Sequence, residues 1–161
     1  MDKVHINQIL NEQDFPCIKE EIEERNLCLK YLMMTKAFNN SNIVKCLFHK
    51  TDGKYILNGM GYIDINNSEF INLSFSSEVT FEGDSIGIYS NITELHNKNN
   101  QLLKTEEKET YDYFSKSNDK IIQETRYFNP DIFFETEYLI PNDFDRFYEL
   151  SKLNNQNSIQ R

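Results

Sequence analysis

Ile43-Val44-Lys45-Cys46-Leu47-Phe48-His49-Lys50-Thr51-Asp52-Gly53-Lys54-Tyr55-Ile56-Leu57-Asn58-Gly59-Met60-Gly61-Tyr62-Ile63-Asp64-Ile65 is the stretch whose reading decides the fold. Two runs rich in β-branched and aromatic residues flank Asp52-Gly53. That dipeptide suits a tight turn, so the stretch reads as a β-hairpin. Downstream, Asn66-Asn67-Ser68 is a second turn, leading into a strand at Phe70–Phe75. Glu82-Gly83-Asp84-Ser85 separates Val79–Phe81 from Ile86–Tyr89. Strands joined by short links make a meander.

The same logic recurs near the C-terminus. Ile121–Phe128 and Ile132–Ile140 read as strands around Asn129-Pro130-Asp131, where Pro fixes φ and ends the ladder. Between the two sheet regions, residues 93–120 are polar, with Asn97-Lys98-Asn99-Asn100 and Thr105-Glu106-Glu107-Lys108-Glu109-Thr110. They lack an alternating apolar pattern. The reading is a mobile insertion carrying a helix near 101–115, weakly anchored by Leu102, Leu103 and Phe114.

Helices are expected at both ends. Asp14-Phe15-Pro16 can start one, with Asp as cap and Pro in the first turn. It runs to Arg25, with Ile18 and Ile22 on one face. Asn26 is read as its end, and the alternation of Leu27, Leu29, Tyr31 and Met33 as a strand, although so apolar a run also fits a longer helix. Asn142 caps a final helix, Asp143–Leu153, with Phe144, Phe147 and Tyr148 facing the core. Residues 1–13 suggest a docked turn, and residues 154–161 a frayed tail. The expected architecture is α+β: residues 1–161 form one domain, a single antiparallel sheet of roughly six to eight strands packed by an N-terminal and a C-terminal helix.

Composition bounds the function. Twelve Phe and nine Tyr in 161 residues can build a core without disulfide or metal. The net charge of −9 repels phosphate backbones and anionic lipid and attracts cations. Direct nucleic-acid and membrane partners are therefore not expected. Cys17, Cys28 and Cys46 are odd in number and sit among apolar residues, which points to reduced thiols and a cytoplasmic location. The N-terminus has no apolar signal core. Asn-X-Ser/Thr triplets at Asn39, Asn66, Asn72 and Asn91 follow from the abundance of Asn.

No catalytic, metal or cofactor motif emerges. His5, His49 and His96 form no ligand pattern. Cys46 and His49 are three residues apart on a strand and so point to opposite faces. Gly59-Met60-Gly61 lies inside a strand, so its glycines make room for a neighbouring aromatic or a bend and cradle no phosphate. No nucleophile elbow or cysteine signature is present, and no enzyme activity is expected.

The suggestive region is the last hairpin. Glu124, Tyr127, Asp131, Glu135, Glu137 and Tyr138 mix carboxylates with tyrosines. Carboxylates speed encounter with a basic protein and aromatics anchor it. The leading expectation is an acidic inhibitor, such as an immunity protein that masks the basic surface of a bacterial toxin nuclease. Two alternatives stand beside it. One is a small-ligand binder or enzyme with a pocket between a curved sheet and its helices. The other is a phage or mobile-element protein that mimics nucleic-acid charge.

Overall fold

The computed structural model describes residues 19–82, 85–128 and 130–139. A helix, α1 (Lys19–Met33), and a short 3-10 turn (Lys36–Phe38) precede seven strands. These are β1 (Asn42–Thr51), β2 (Lys54–Asp64), β3 (Glu69–Glu82), β4 (Ser85–Lys98), β5 (Gln101–Ser117), β6 (Lys120–Phe128) and β7 (Asp131–Leu139). They form one antiparallel sheet in the order β1-β2-β3-β4-β5-β6-β7, a pure meander. The expected N-terminal helix start, Cys17, the final helix with Phe144, Phe147 and Tyr148, and the tail lie outside the described residues.

Tight turns set the register. Asp52 (φ 46°) and Gly53 (φ 76°) both take left-handed backbone, as a type I′ hairpin requires. Asn99 (φ 53°) and Asn100 (φ 64°) do the same between β4 and β5, and Asn118 (φ 57°) between β5 and β6. Asn enters this region more readily than most side chains, so part of the asparagine richness serves the hairpins.

Two expectations are corrected. Leu27 onward continues the helix to Met33 and forms no strand. Glu24, Leu27, Cys28, Tyr31 and Leu32 are buried at three- and four-residue spacing, the period of a helix. The alternation at 27, 29, 31 and 33 was incidental to an apolar run. Thr35 Oγ1 closes the end by donating to the Leu32 carbonyl at 2.7 Å. The second correction is residues 101–115, which belong to β5, a strand of 17 residues, and not to a helix. It pairs with β4 from Ser115 to Gln101 and with β6 from Thr110 to Ser117.

α1 covers one face of the sheet and crosses the strands obliquely. Glu24 meets Lys50 of β1 at 2.8 Å, Tyr31 packs edge-on to Phe114 of β5, and the Met34 carbonyl accepts from Gln123 of β6 at 3.3 Å. Beyond the helix, Lys36 reaches Phe134 of β7, and the chain returns with Phe38 against Phe75 of β3. From β1 to β6 is five strand spacings, roughly 24 Å. From Glu24 to Met34 the helix rises only about 15 Å. Long side chains such as Lys50 and Gln123 reach inward to close the difference.

The core lies beneath α1. Cys46, Tyr55, Leu57, Leu73, Phe75, Val79, Ile88, Ile92, Phe114 and Ile121 pack with Tyr31, Leu32 and Phe38. Gly59 lets Phe75 pass: a Cβ there would collide with the Lys45 carbonyl and stand 2.7 Å from Phe75 Cζ. The aromatic neighbour expected of this glycine is thus Phe75. Cys46 is buried on the covered face and His49 exposed, as their spacing requires.

Polar side chains also enter this face. Thr125 Oγ1 and Gln123 Nε2 both donate to Asp112 Oδ1, at 2.5 and 2.9 Å, and all three residues are buried. Burial pushes the Asp112 carboxyl above the usual aspartate range, and the two hydrogen bonds offset that only in part. An acid whose folded pKa is raised binds its proton more tightly in the native state. Stability therefore rises as pH falls through that pKa toward the unfolded value of about 3.9. In Asp112→Asn this acid-side gain should vanish, read as a flatter curve of unfolding free energy against pH. An unchanged curve would show that Asp112 is not the source.

Cys28 and Cys46 are free and buried. Burial raises both thiols, Cys46 to about 12 and Cys28 well above its ordinary value, so neither supplies thiolate at neutral pH. We expect the native protein to modify these two cysteines only as fast as it opens. Mass spectrometry after brief treatment with a thiol reagent checks this, and rapid labelling of Cys28 or Cys46 would contradict it.

Candidate functional site

Alternation along the strands separates two sets of polar residues. The open face, opposite α1, carries Tyr89 of β4, Tyr111 and Tyr113 of β5, Glu124, Arg126 and Phe128 of β6, and Asp131, Phe133, Glu135 and Glu137 of β7. Register places them in rows: Tyr113 beside Glu124 beside Glu135, and Tyr111 beside Arg126 beside Phe133. Tyr111 and Tyr113 stack at 6.5 Å, and a shallow cavity of about 360 Å³ lies among Tyr111, Tyr113, Glu124, Arg126, Asp131 and Phe133. Phe133 is 59% exposed, among the most exposed large apolar side chains described.

The carboxylates here differ in their partners. Asp131 accepts both Arg126 Nε and Nη2 at 3.1 Å, and Glu137 lies 3.6 Å from Lys120. Glu124 and Glu135 face each other directly and have no cation partner among the described residues. Like charges directly opposed across a ladder destabilise it. Tyr89 donates to Glu109 at 2.6 Å, a bond that raises the Tyr89 pKa.

Of the residues singled out in the sequence, the structure brings Glu124, Asp131, Glu135 and Glu137 onto this exposed face. Tyr127 is not with them. It is half-buried on the covered face, where it meets Phe134 edge-on at 6.1 Å. An odd offset from Glu124 along one strand puts it there. Tyr138 pairs with Ile121 in the ladder, and its side chain lies outside the described residues. The aromatics that accompany the carboxylates are Tyr111, Tyr113 and Phe133. Their place was hidden while residues 101–115 read as helix. The Asn99-Asn100 pair, a hairpin signal, could have revealed it.

The covered face gathers a second set at the far ends of β4 and β5. Glu94, 2% exposed, holds His96 Nε2 at 3.0 Å and Lys108 Nζ at 3.0 Å. Glu106 holds Lys104 at 2.7 Å and lies 3.7 Å from His96. The Lys104 hydrogen bond keeps the Glu106 carboxyl below its usual range. Glu94, His96 and Glu106 bring three ligand atoms within 4.8 Å of one another, a set whose chemistry suits a divalent cation. Two ammonium groups already neutralise these carboxylates, so the cluster is complete as an ion-pair network. The sequence hid it because its members sit on neighbouring strands.

No protein-family model matches the chain, and neither a curated protein nor a solved structure is significantly similar to it. Among the described residues no helix is long and apolar enough to cross a membrane.

Glu135→Lys should convert the opposed pair into an attractive one. We expect the isolated protein to melt about 1–3 °C higher by calorimetry. A lower melting temperature would mean that the opposed carboxylates do not repel.

Proposed function

We propose that this chain is a protein-binding inhibitor whose partner presents a basic surface. The reading is of an immunity protein that works in the bacterial cytoplasm and neutralises a cationic toxin, such as a nuclease, by masking the surface that holds nucleic acid. The observation that carries it is the opposed pair Glu124 and Glu135, without a cation partner among the described residues and flanked by Tyr113 and the exposed Phe133. A guanidinium or ammonium from a partner would relieve the repulsion between the two carboxylates. The neighbouring rings would supply the apolar contact that turns electrostatic encounter into a stable complex. Lysine-rich and arginine-rich nucleic-acid-binding surfaces offer such cations in quantity.

Capture from lysate of the source cells tests this. The native chain should retain a basic protein at low salt and release it as salt rises, because screening shortens the reach of charge to about 8 Å at physiological ionic strength. Glu124→Lys with Glu135→Lys should abolish retention while the fold survives, since both residues are exposed. If the retained protein is a nuclease, equimolar native chain should suppress its cleavage of DNA or RNA and the double variant should not. Retention unaffected by the double substitution, at any salt, would refute the reading.

A further inference from the structure

The covered face is wider than α1, and among the described residues no further helix lies over the part beyond it. There a cavity of about 520 Å³ lies between the 3-10 turn and strands β5 to β7. Its volume is within the usual range for small-molecule sites. It is on the face opposite Glu124 and Glu135, so its use is independent of the partner surface proposed above.

We propose that this cavity binds a small organic anion: a singly charged acid group on an apolar, ring-bearing body. The apolar wall comes from Phe134, Ile132 and the Tyr127 ring. Phe134 and Ile132 remain 36% and 42% exposed on a face that is elsewhere packed, so the wall is available. The charge selection comes from what the lining cations and anions already hold. Lys108 is bound to buried Glu94 at 3.0 Å, and Glu106 to Lys104 at 2.7 Å. Those charges cancel within the protein. Lys36 has no carboxylate partner among the described residues; its ammonium rests 4.4 Å above the Phe134 ring.

Tyr127 adds a second donor. Its hydroxyl has no hydrogen-bond partner among the described residues. Burial, reinforced by the Asp112 and Glu94 carboxylates, raises its pKa, so it remains a phenol that can donate. An ammonium and a phenol, both without acceptors among the described residues, flank an aromatic wall. A carboxylate or sulfonate would accept from both while its body lies against Phe134 and Ile132. Lys36 is the lining cation not held by a carboxylate among the described residues, so the site suits a single anionic group.

Two dyes of similar shape separate charge from apolar contact: 8-anilinonaphthalene-1-sulfonate, an anion, and neutral N-phenyl-1-naphthylamine. Fluorescence titration of the native chain should give one saturable site for the anion. Lys36→Met should weaken the anion about tenfold and the neutral dye less than twofold. Phe134→Ala should weaken both. Phe133→Ala, on the open face, should change neither. Lys36, Phe133 and Phe134 are all exposed or at the edge of exposure, and unchanged thermal unfolding will confirm that each variant folds. Anion binding that survives Lys36→Met, that is lost in Phe133→Ala, or that fails to saturate at one site would overturn the proposal. None of these results depends on whether a basic protein binds the other face.

Discussion

Among the described residues one helix, about 10–12 Å across with its side chains, covers a sheet seven strands wide. It does so by lying across the strands. The cover is partial among the described residues. Apolar side chains fill the covered face where α1 and the 3-10 turn reach: β1 to β4, Phe114 of β5 and Ile121 of β6. Outside that footprint the same face carries Glu94, His96, Lys104, Glu106 and Lys108, which interlock as ion pairs. Buried carboxylates are tolerated when hydrogen-bonded and paired, and Glu94 has a partner on each oxygen. The boundary between apolar core and ionic network is therefore the edge of the helix's reach.

That boundary also explains what could be read from the sequence. The Asp52-Gly53 hairpin was legible because both strands sit within the helix footprint and alternate apolar residues inward. Ile121–Phe128 and the strand after Pro130 were legible for their apolar content and their turn. β5 was not. Its inward positions 104, 106, 108 and 112 are charged, and its outward positions 105, 107 and 109 are polar too. A strand polar on both faces has no period-2 signal, and only pairing with β4 and β6 makes it a strand. Propensity favoured a helix there, and tertiary pairing overrode it. Leu27–Met33 failed for the opposite reason: an apolar run satisfies both periods, and burial at 24, 27, 28, 31 and 32 selects the helix.

The candidate site was half legible for a related reason. Glu124, Asp131, Glu135 and Glu137 follow from a hairpin alone, since their parity is set by one two-residue turn. Tyr127 was grouped with them by proximity in sequence, but an odd separation in a strand reverses the face. Tyr111 and Tyr113 needed the strand identity of β5. Once that is known, Tyr113, Glu124 and Glu135 form a single row across three strands.

The sheet's treatment of opposed carboxylates distinguishes this row from ordinary surface charge. Glu94 and Glu106 also face each other directly across a ladder, between β4 and β5. There the fold supplies Lys104, Lys108 and His96, so the repulsion is answered within the chain. On the open face Lys54 stands against Glu78, Lys120 against Glu137, and Arg126 clasps Asp131. Cations are thus available on this face and are placed beside other carboxylates. Arg126, two residues from Glu124 along the same strand, is committed to Asp131 by two hydrogen bonds. Glu124 and Glu135 are thus an opposed pair whose repulsion no cation answers among the described residues.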